Sequence, residues 1–275
     1  MPGVGPGARL AYHYGTIGAM TALNEPTARE LGAQARAVMR ACQTATLATA
    51  LARDGDGHPY ASLVLAALDH EVAPVLLLSD LADHARNLRD RPQAALLYRA
   101  PVAAGADPLA LPRVSVLGTV REIESENVRA RLQARYLMRH PSARTYAGFG
   151  DFRLYRMAVE RAHLVAGFGR VHWLSASDVL FEGANLDAWA AAEQELLAQM
   201  NAEDPNALAR AGAEADGLSG GEDGPGDKAP WRAVGVDPEG VDLRAGGRLA
   251  RAPFPRPVAA PARVADAFAT AWGHN

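Results

Sequence analysis

The sequence predicts a mainly β fold of the α+β class: a six-stranded antiparallel barrel with flanking helices, followed by a small α/β unit at the carboxy terminus. Three observations carry this prediction. Thr44 to Leu51 and Tyr60 to Leu68 are strand-like runs joined by Arg53-Asp54-Gly55-Asp56-Gly57-His58-Pro59. The Asp-Gly steps favour a tight reversal, and the eight residues between Leu51 and Tyr60 leave no room for the helical crossover that a parallel pair requires. Next, the apolar run Leu76-Leu77-Leu78 breaks into Ser79-Asp80-Leu81-Ala82-Asp83-His84-Ala85-Arg86-Asn87-Leu88, small, polar and basic residues opening a short helix. A strand delivers a phosphate-binding turn in this way. Finally, strand patterns near 93–99, 113–123 and 153–165 bring the count to six with the 74–79 run, and closing them into a barrel removes exposed edges.

Residues 1–24 are rich in Gly and Ala without periodicity and read as a loose arm. Asn24, Pro26 and a Thr27/Glu30 capping box then introduce a helix whose Leu31, Ala35, Val38, Met39 and Cys42 share one face. The short helix near 82–89 stops at Pro92, and the loop from Ala100 to Pro112 holds Pro101, Gly105, Pro108 and Pro112. Ser125 is placed to cap a helix carrying Val128, Leu132, Tyr136 and Leu137, which His140-Pro141 ends. The barrel domain spans 25–180, with its last turn near Asp178. A small domain follows over 186–275, with a helix from Leu186 to Met200 buried through Trp189, Leu196, Leu197 and Met200. Strands at Ala233–Val236 and Val241–Leu243 flank Asp237-Pro238-Glu239-Gly240, and a last helix runs from about Pro261 to Trp272. Gly217 to Asp227 is nearly free of apolar residues, so a mobile loop is expected over 217–229.

Composition excludes several classes of function. A chain of 275 residues with 49% hydrophobic content can bury a sizeable core, and a net charge of −3 leaves no nucleic-acid footprint. Lys228 is the only lysine, so arginine supplies the positive charge, spread along the chain. Cys42, the single cysteine, rules out an internal disulfide and a thiolate cluster. With no signal-peptide core and no apolar run long enough to span a bilayer, a cytoplasmic location with no membrane partner is expected. Neither Gly-x-Ser-x-Gly, His-Glu-x-x-His nor paired Cys-x-x-Cys occurs, which argues against the common hydrolytic and zinc chemistries.

Several stretches, in order, carry a family resemblance. They are Pro59 to Val64, Leu78 to Leu88, Asp107-Pro108-Leu109 leading into Pro112 to Gly118, Arg135 to Pro141, Phe149 to Arg156, Gly167 to Leu174 and Val234 to Arg244. The sequence resembles the flavin-binding split-barrel superfamily of pyridoxamine 5'-phosphate oxidase, and within it the branch associated with haem utilisation, some of whose members degrade haem. The resemblance implies FMN as cofactor, a homodimer with the cofactor at its interface, and a small-molecule ligand. It implies a flavin-linked oxidoreductase, either an FMN-dependent oxidase or reductase or a haem oxygenase-like enzyme. The alternative is a non-catalytic flavin- or haem-binding regulator of a haem-pathway enzyme.

The resemblance also names residues. Ser62, Leu63 and Val64 match the stretch that runs along the flavin, largely through backbone groups, while Ser79, His84, Arg86 and Asn87 match its phosphate side. Arg86 is the strongest candidate, since a guanidinium can hold two phosphate oxygens at once. Asp80 and Asp83 would repel a phosphate unless they point away. From the residues alone, Ser79-Asp80 also reads as a helix cap and Arg86 as a solvated helix face.

Haem iron needs an axial ligand and its propionates need basic partners. His172, next to Arg170 and Trp173, and His274 near the terminus are the candidate ligands, with His13 and His84 weaker. Where relatives commonly carry a His-Met-Asn-x-Asp-His run, this chain has Gln199-Met200-Asn201-Ala202-Glu203-Asp204, without either histidine.

Overall fold

The computed structural model describes residues 25–52, 57–100, 107–167, 169–183, 185–219 and 229–273. The amino-terminal arm with His13, the Asp-Gly steps of the first hairpin, and His274 lie outside the described residues, as do positions 220–228 of the expected loop.

Helix α1 (Ala28–Ala41) starts at the capping box, where the Glu30 N–H donates to the Thr27 hydroxyl and Glu30 accepts from the Thr27 N–H. Its apolar face, Leu31 to Cys42, is buried in the main core. Strands β1 (Thr44–Ala50) and β2 (Pro59–Leu68) pair antiparallel from Thr44↔Leu65 to Ala50↔Pro59. They are followed by β3 (Pro74–Ser79), α2 (Asp83–Asp90), β4 (Gln93–Arg99), β5 (Arg113–Glu122), α3 (Glu126–Arg139) and β6 (Phe152–Val165).

All pairings in the large sheet are antiparallel, and the order β3-β2-β1-β4-β5-β6 returns to β3, closing a ring of six strands. The sheet nevertheless has seven strands, not six, because β7 (Val171–Ser175) pairs along the outer side of β6. The sequence conceals this strand because it is five residues long and only Leu174 among them is buried; the backbone of β6 supplies the pairing. Gly118 sits where β5 shifts register against β6, and a Cβ there would lie 2.1 Å from the Ala158 carbonyl oxygen. Only glycine permits that approach.

The one-turn α4 (Ala176–Val179) packs on α1 at Gly32, and α5 (Leu186–Glu203) and α6 (Pro205–Ser219) lead to a three-stranded sheet of β8 (Arg232–Asp237), β9 (Gly240–Ala245) and β10 (Arg248–Pro253). A 3-10 turn and α7 (Val264–Trp272) complete the chain. Trp189, Leu197, Phe254 and Phe268 centre a second core between these elements. Sequence reading misses α6 and β10. Pro205 at the start of α6 was a usable signal, and the helix carries Gly217 to Ser219, the first residues of the expected loop. In β10, Arg-Leu-Ala-Arg-Ala-Pro lacks β-branched residues, and its pairing with β9 makes it a strand. Ser125 precedes α3 at the cap position, but its side chain makes no cap hydrogen bond.

Candidate functional site

Along β2, Tyr60, Ser62 and Val64 face one way and Ala61 and Leu63 the other, as strand geometry requires. Val64 is buried in the barrel, whereas Leu63 is 74% exposed. β2 meets β3 only at Ala66 to Leu68, so its first half has a strand partner on the β1 side alone. Helix α2 lies across this splayed edge, with Ser62 Oγ 3.1 Å from His84 Nδ1. Burial lowers the half-buried His84 imidazole, with Asp83 opposing, so a neutral ring meets the hydroxyl.

The structure thus unites Ser62 with His84, but the other residues on the phosphate side have different commitments. Ser79 Oγ donates to Asp151 Oδ2 at 2.5 Å and accepts the Leu81 N–H at 3.1 Å. Asn87 is 2% exposed; its amide donates to Thr49 Oγ1 at 2.9 Å and accepts the Ala52 N–H at 3.0 Å, pinning α2 to β1. Among the described residues Arg86 has only Asp83, 3.3 Å away on the same exposed face, and such a pair contributes about 0–1 kcal/mol. Asp80 is engaged by Arg89, with Arg153 at 3.7 Å, so its charge is compensated. Ser62 and His84, bonded to each other, and Arg86, held by a surface pair, form a polar set suited to the polar edge and phosphate of a flavin nucleotide.

Strand register separates two residues that sequence proximity had joined. His172 lies opposite Leu164, which is fully buried, while Trp173 lies opposite His163. Neighbours in a strand face opposite sides, so Trp173 cannot wall a ligand held by His172. Its partner is His163, with ring centroids 4.7 Å apart, and the Arg161 guanidinium lies 5.0 Å from the Trp173 ring centroid. Arg170 turns back to donate to the Ala166 carbonyl oxygen at 2.6 Å. Sequence reading missed His163, although the period-2 alternation of 153–165 placed it on the outer face with Arg161.

A second missed cluster lies where the barrel meets the small sheet. Arg36 Nε and Nη2 donate to Glu239 at 2.9 and 2.8 Å, Arg139 Nη1 to Asp242 at 3.2 Å, and Arg251 to Asp237 and Asp242 at 2.6 and 3.0 Å. Burial alone would raise the Asp237 carboxyl, yet Arg251, Arg40 and Arg135 hold it well below the usual range. Arg135 joins Glu193, and His70 Nε2 stands 3.6 Å from the other carboxylate oxygen. Burial, reinforced by Arg135, pushes the His70 imidazole down to about 3. Arg135, Glu193 and His70 line a cavity of about 340 Å³ with Asp69, Glu71 and Arg131. Beside it, Val72 adopts φ +71° in the tight β2–β3 turn, a left-handed conformation costly for a β-branched residue. The readable signal was a carboxylate, Glu193, on the same stripe as Trp189 and Leu197. With its charges so fully paired, this cluster fits a clamp between the two sheets.

Among the described residues no group of three or more His, Cys, Asp or Glu could hold a metal ion, and no helix is long and apolar enough to cross a membrane. A family profile described as CREG, beta-barrel matches residues 26–180. Over 112 residues the chain is 30% identical to the chloroplastic heme oxygenase HOZ of Arabidopsis thaliana, a match covering 41% of this chain and about a third of that protein's length. A solved protein of unknown function from Agrobacterium tumefaciens superposes with a TM-score of 0.71 at 25% identity, covering 88% of this chain and 94% of its own. A heme binding protein from Mycobacterium smegmatis gives a TM-score of 0.51 at 26% identity, covering 90% and 97%.

Proposed function

The chain belongs to the CREG beta-barrel family, and from that premise we propose that it binds FMN where β2 meets α2 and serves haem utilisation or degradation as a flavin-linked oxidoreductase. The observation that carries the flavin reading is the splayed β2 edge faced by Ser62, His84 and an Arg86 held only by a surface pair. Arg86 exchanges Asp83 for the phosphate, a charge-assisted contact stronger than the one it leaves. Ser62 and His84 offer a hydroxyl and a neutral imidazole to the ligand's polar edge. When bound, the flavin supplies the electron transfer; the chain positions and desolvates it. The haem reading is supported by the Mycobacterium smegmatis heme binding protein, which matches nearly the whole chain, and by the match to a heme oxygenase.

The homodimer belongs to the same proposal. Leu63, Thr46 and Leu97 lie side by side on β2, β1 and β4, with Leu63 and Leu97 exposed and Ala61, Ala48 and Ala95 forming the next row. A flat strip of small and apolar side chains suits a self-complementary contact between two copies.

The test is the visible and fluorescence spectrum of purified protein titrated with FMN and then hemin. Quenched flavin fluorescence and a shifted Soret band are expected; failure to bind either ligand refutes the proposal. The second reading, a non-catalytic regulator, is favoured by Ser79 and Asn87, whose polar groups are spent inside the fold. Tight binding of both ligands with no turnover under a reductant selects it.

A further inference from the structure

The row that begins with Leu63, Thr46 and Leu97 continues through Ser115 and His163 to Trp173, because each is the direct cross-strand partner of the next. Directly paired residues point to the same side of a sheet. At the β7 end this face changes character. Trp173 is 60% exposed and His163 packs against it, with no hydrogen bond to either imidazole nitrogen among the described residues. Arg161, two residues before His163 and on the same face, reaches over the Trp173 ring and has no carboxylate partner among the described residues. Arg113 and Arg99, paired across β5 and β4, add two more cations to this face. The nearest acid on this stretch of β6, Glu160, accepts a hydrogen bond from Thr119.

An imidazole whose nitrogens have no hydrogen bond, an exposed aromatic ring beside it and guanidinium groups without a carboxylate partner, all among the described residues, make a donor set for a flat, dianionic aromatic ligand carrying a metal. We infer that His163, on the outer face of the sheet, is the axial ligand to haem iron, with Trp173 packing against the macrocycle and Arg161 meeting a propionate. The inference rests on the haem reading above and goes beyond it by moving the iron ligand from His172, which shares its side of the sheet with buried Leu164, to a half-buried residue that shares its side with the exposed Arg161 and Trp173. The chain's role at this point is to present an imidazole nitrogen, cover one side of the ring and neutralise its carboxylates.

The experiment is a hemin titration of the full chain followed by absorption and electron paramagnetic resonance, comparing wild type with His163→Gly, His172→Gly and Arg161→Glu, each checked for native circular dichroism. Wild type and His172→Gly are expected to give an imidazole-ligated spectrum. His163→Gly is expected to lose that spectrum, to bind hemin at least about tenfold more weakly and to regain the spectrum when free imidazole is added. Arg161→Glu keeps the ligation signature and weakens binding. If wild type binds hemin and His163→Gly is unchanged, the assignment falls while the haem reading stands. If wild type leaves hemin with its free spectrum, both fall.

Discussion

Arg135 is the most demanding residue at the junction of the two sheets, and Arg135→Met isolates what it does. Its side chain is 7% exposed, and its guanidinium faces the carboxylate of Glu193, whose side chain is 4% exposed. It also donates to the Leu68 carbonyl oxygen at 2.7 Å and the Val236 carbonyl oxygen at 3.3 Å. Methionine fills much of the volume but leaves Glu193, among the described residues, with the Val236 N–H at 3.1 Å as its remaining hydrogen bond and His70 Nε2 at 3.6 Å from its other oxygen. Breaking a buried pair by removing one partner costs about 3–5 kcal/mol, because the surviving charge stays out of water without compensation. Burial already raises the Glu193 carboxyl, and Arg135 is the leading opposing charge, so the variant carries it higher still. A carboxyl raised in the folded state stabilises below its unfolded pKa and loses that contribution as pH rises through the folded value. The variant's deficit should therefore be largest above pH 7 and shrink toward pH 5. Urea denaturation across that range, with Arg135→Met/Glu193→Gln as the partner variant, is the assay. The glutamine keeps an acceptor for Val236 and removes the stranded charge, so the double variant should recover at least ~1 kcal/mol over Arg135→Met. A single-variant loss below about 1 kcal/mol, or a double variant at the additive sum, would refute the reasoning.

Acid should loosen the wild-type fold through its buried histidines. Burial holds His140 down to about 4 and His70 to about 3, so the unfolded chain binds more protons as pH drops below about 6.5, and each costs about 1.4 kcal/mol per pH unit there. Unfolding midpoints at pH 7.5 and 5.5 read the loss, which His140→Gln should roughly halve; a flat profile contradicts the burial of both rings. For FMN, Arg86→Glu trades an attractive charge for a repulsive one and removes a contact of about 1.5–3 kcal/mol, so affinity should fall at least about tenfold while riboflavin is little affected. Equal weakening of both flavins in a fluorescence titration removes Arg86 from the phosphate site. Leu63→Arg puts charge at the β2 end of the exposed row and should raise a dimer dissociation constant at least about tenfold by sedimentation, and an unchanged association state shows that this face is not the contact.

Local chemistry determined much of the barrel. The capping box at Thr27 and Glu30, the apolar face of α1, the short β1–β2 connection and the alternation of β5 and β6 each specify an element through the side chains nearest in sequence. The order of those elements, with a turn too short for a crossover, specified antiparallel pairing. Where no periodic signal exists, only tertiary structure decides. β7 and β10 are strands because a neighbour's backbone completes their hydrogen bonds, and α6 is held against β10 and α7 by packing that its own sequence does not announce. The site divides along the same line. Ser62 and His84 were legible one by one, but their 3.1 Å approach exists because α2 folds across the gap between β2 and β3. Asn87 matched a ligand contact in sequence, yet its amide joins α2 to β1. Trp173 neighbours His172 in sequence and faces His163 in space, because cross-strand register, set by long-range pairing, assigns each side chain to a face. Sequence alone fixed which chemical groups this protein has; the pairing of distant strands decided which of them share a side of the sheet, since facing is a property of register and not of proximity along the chain.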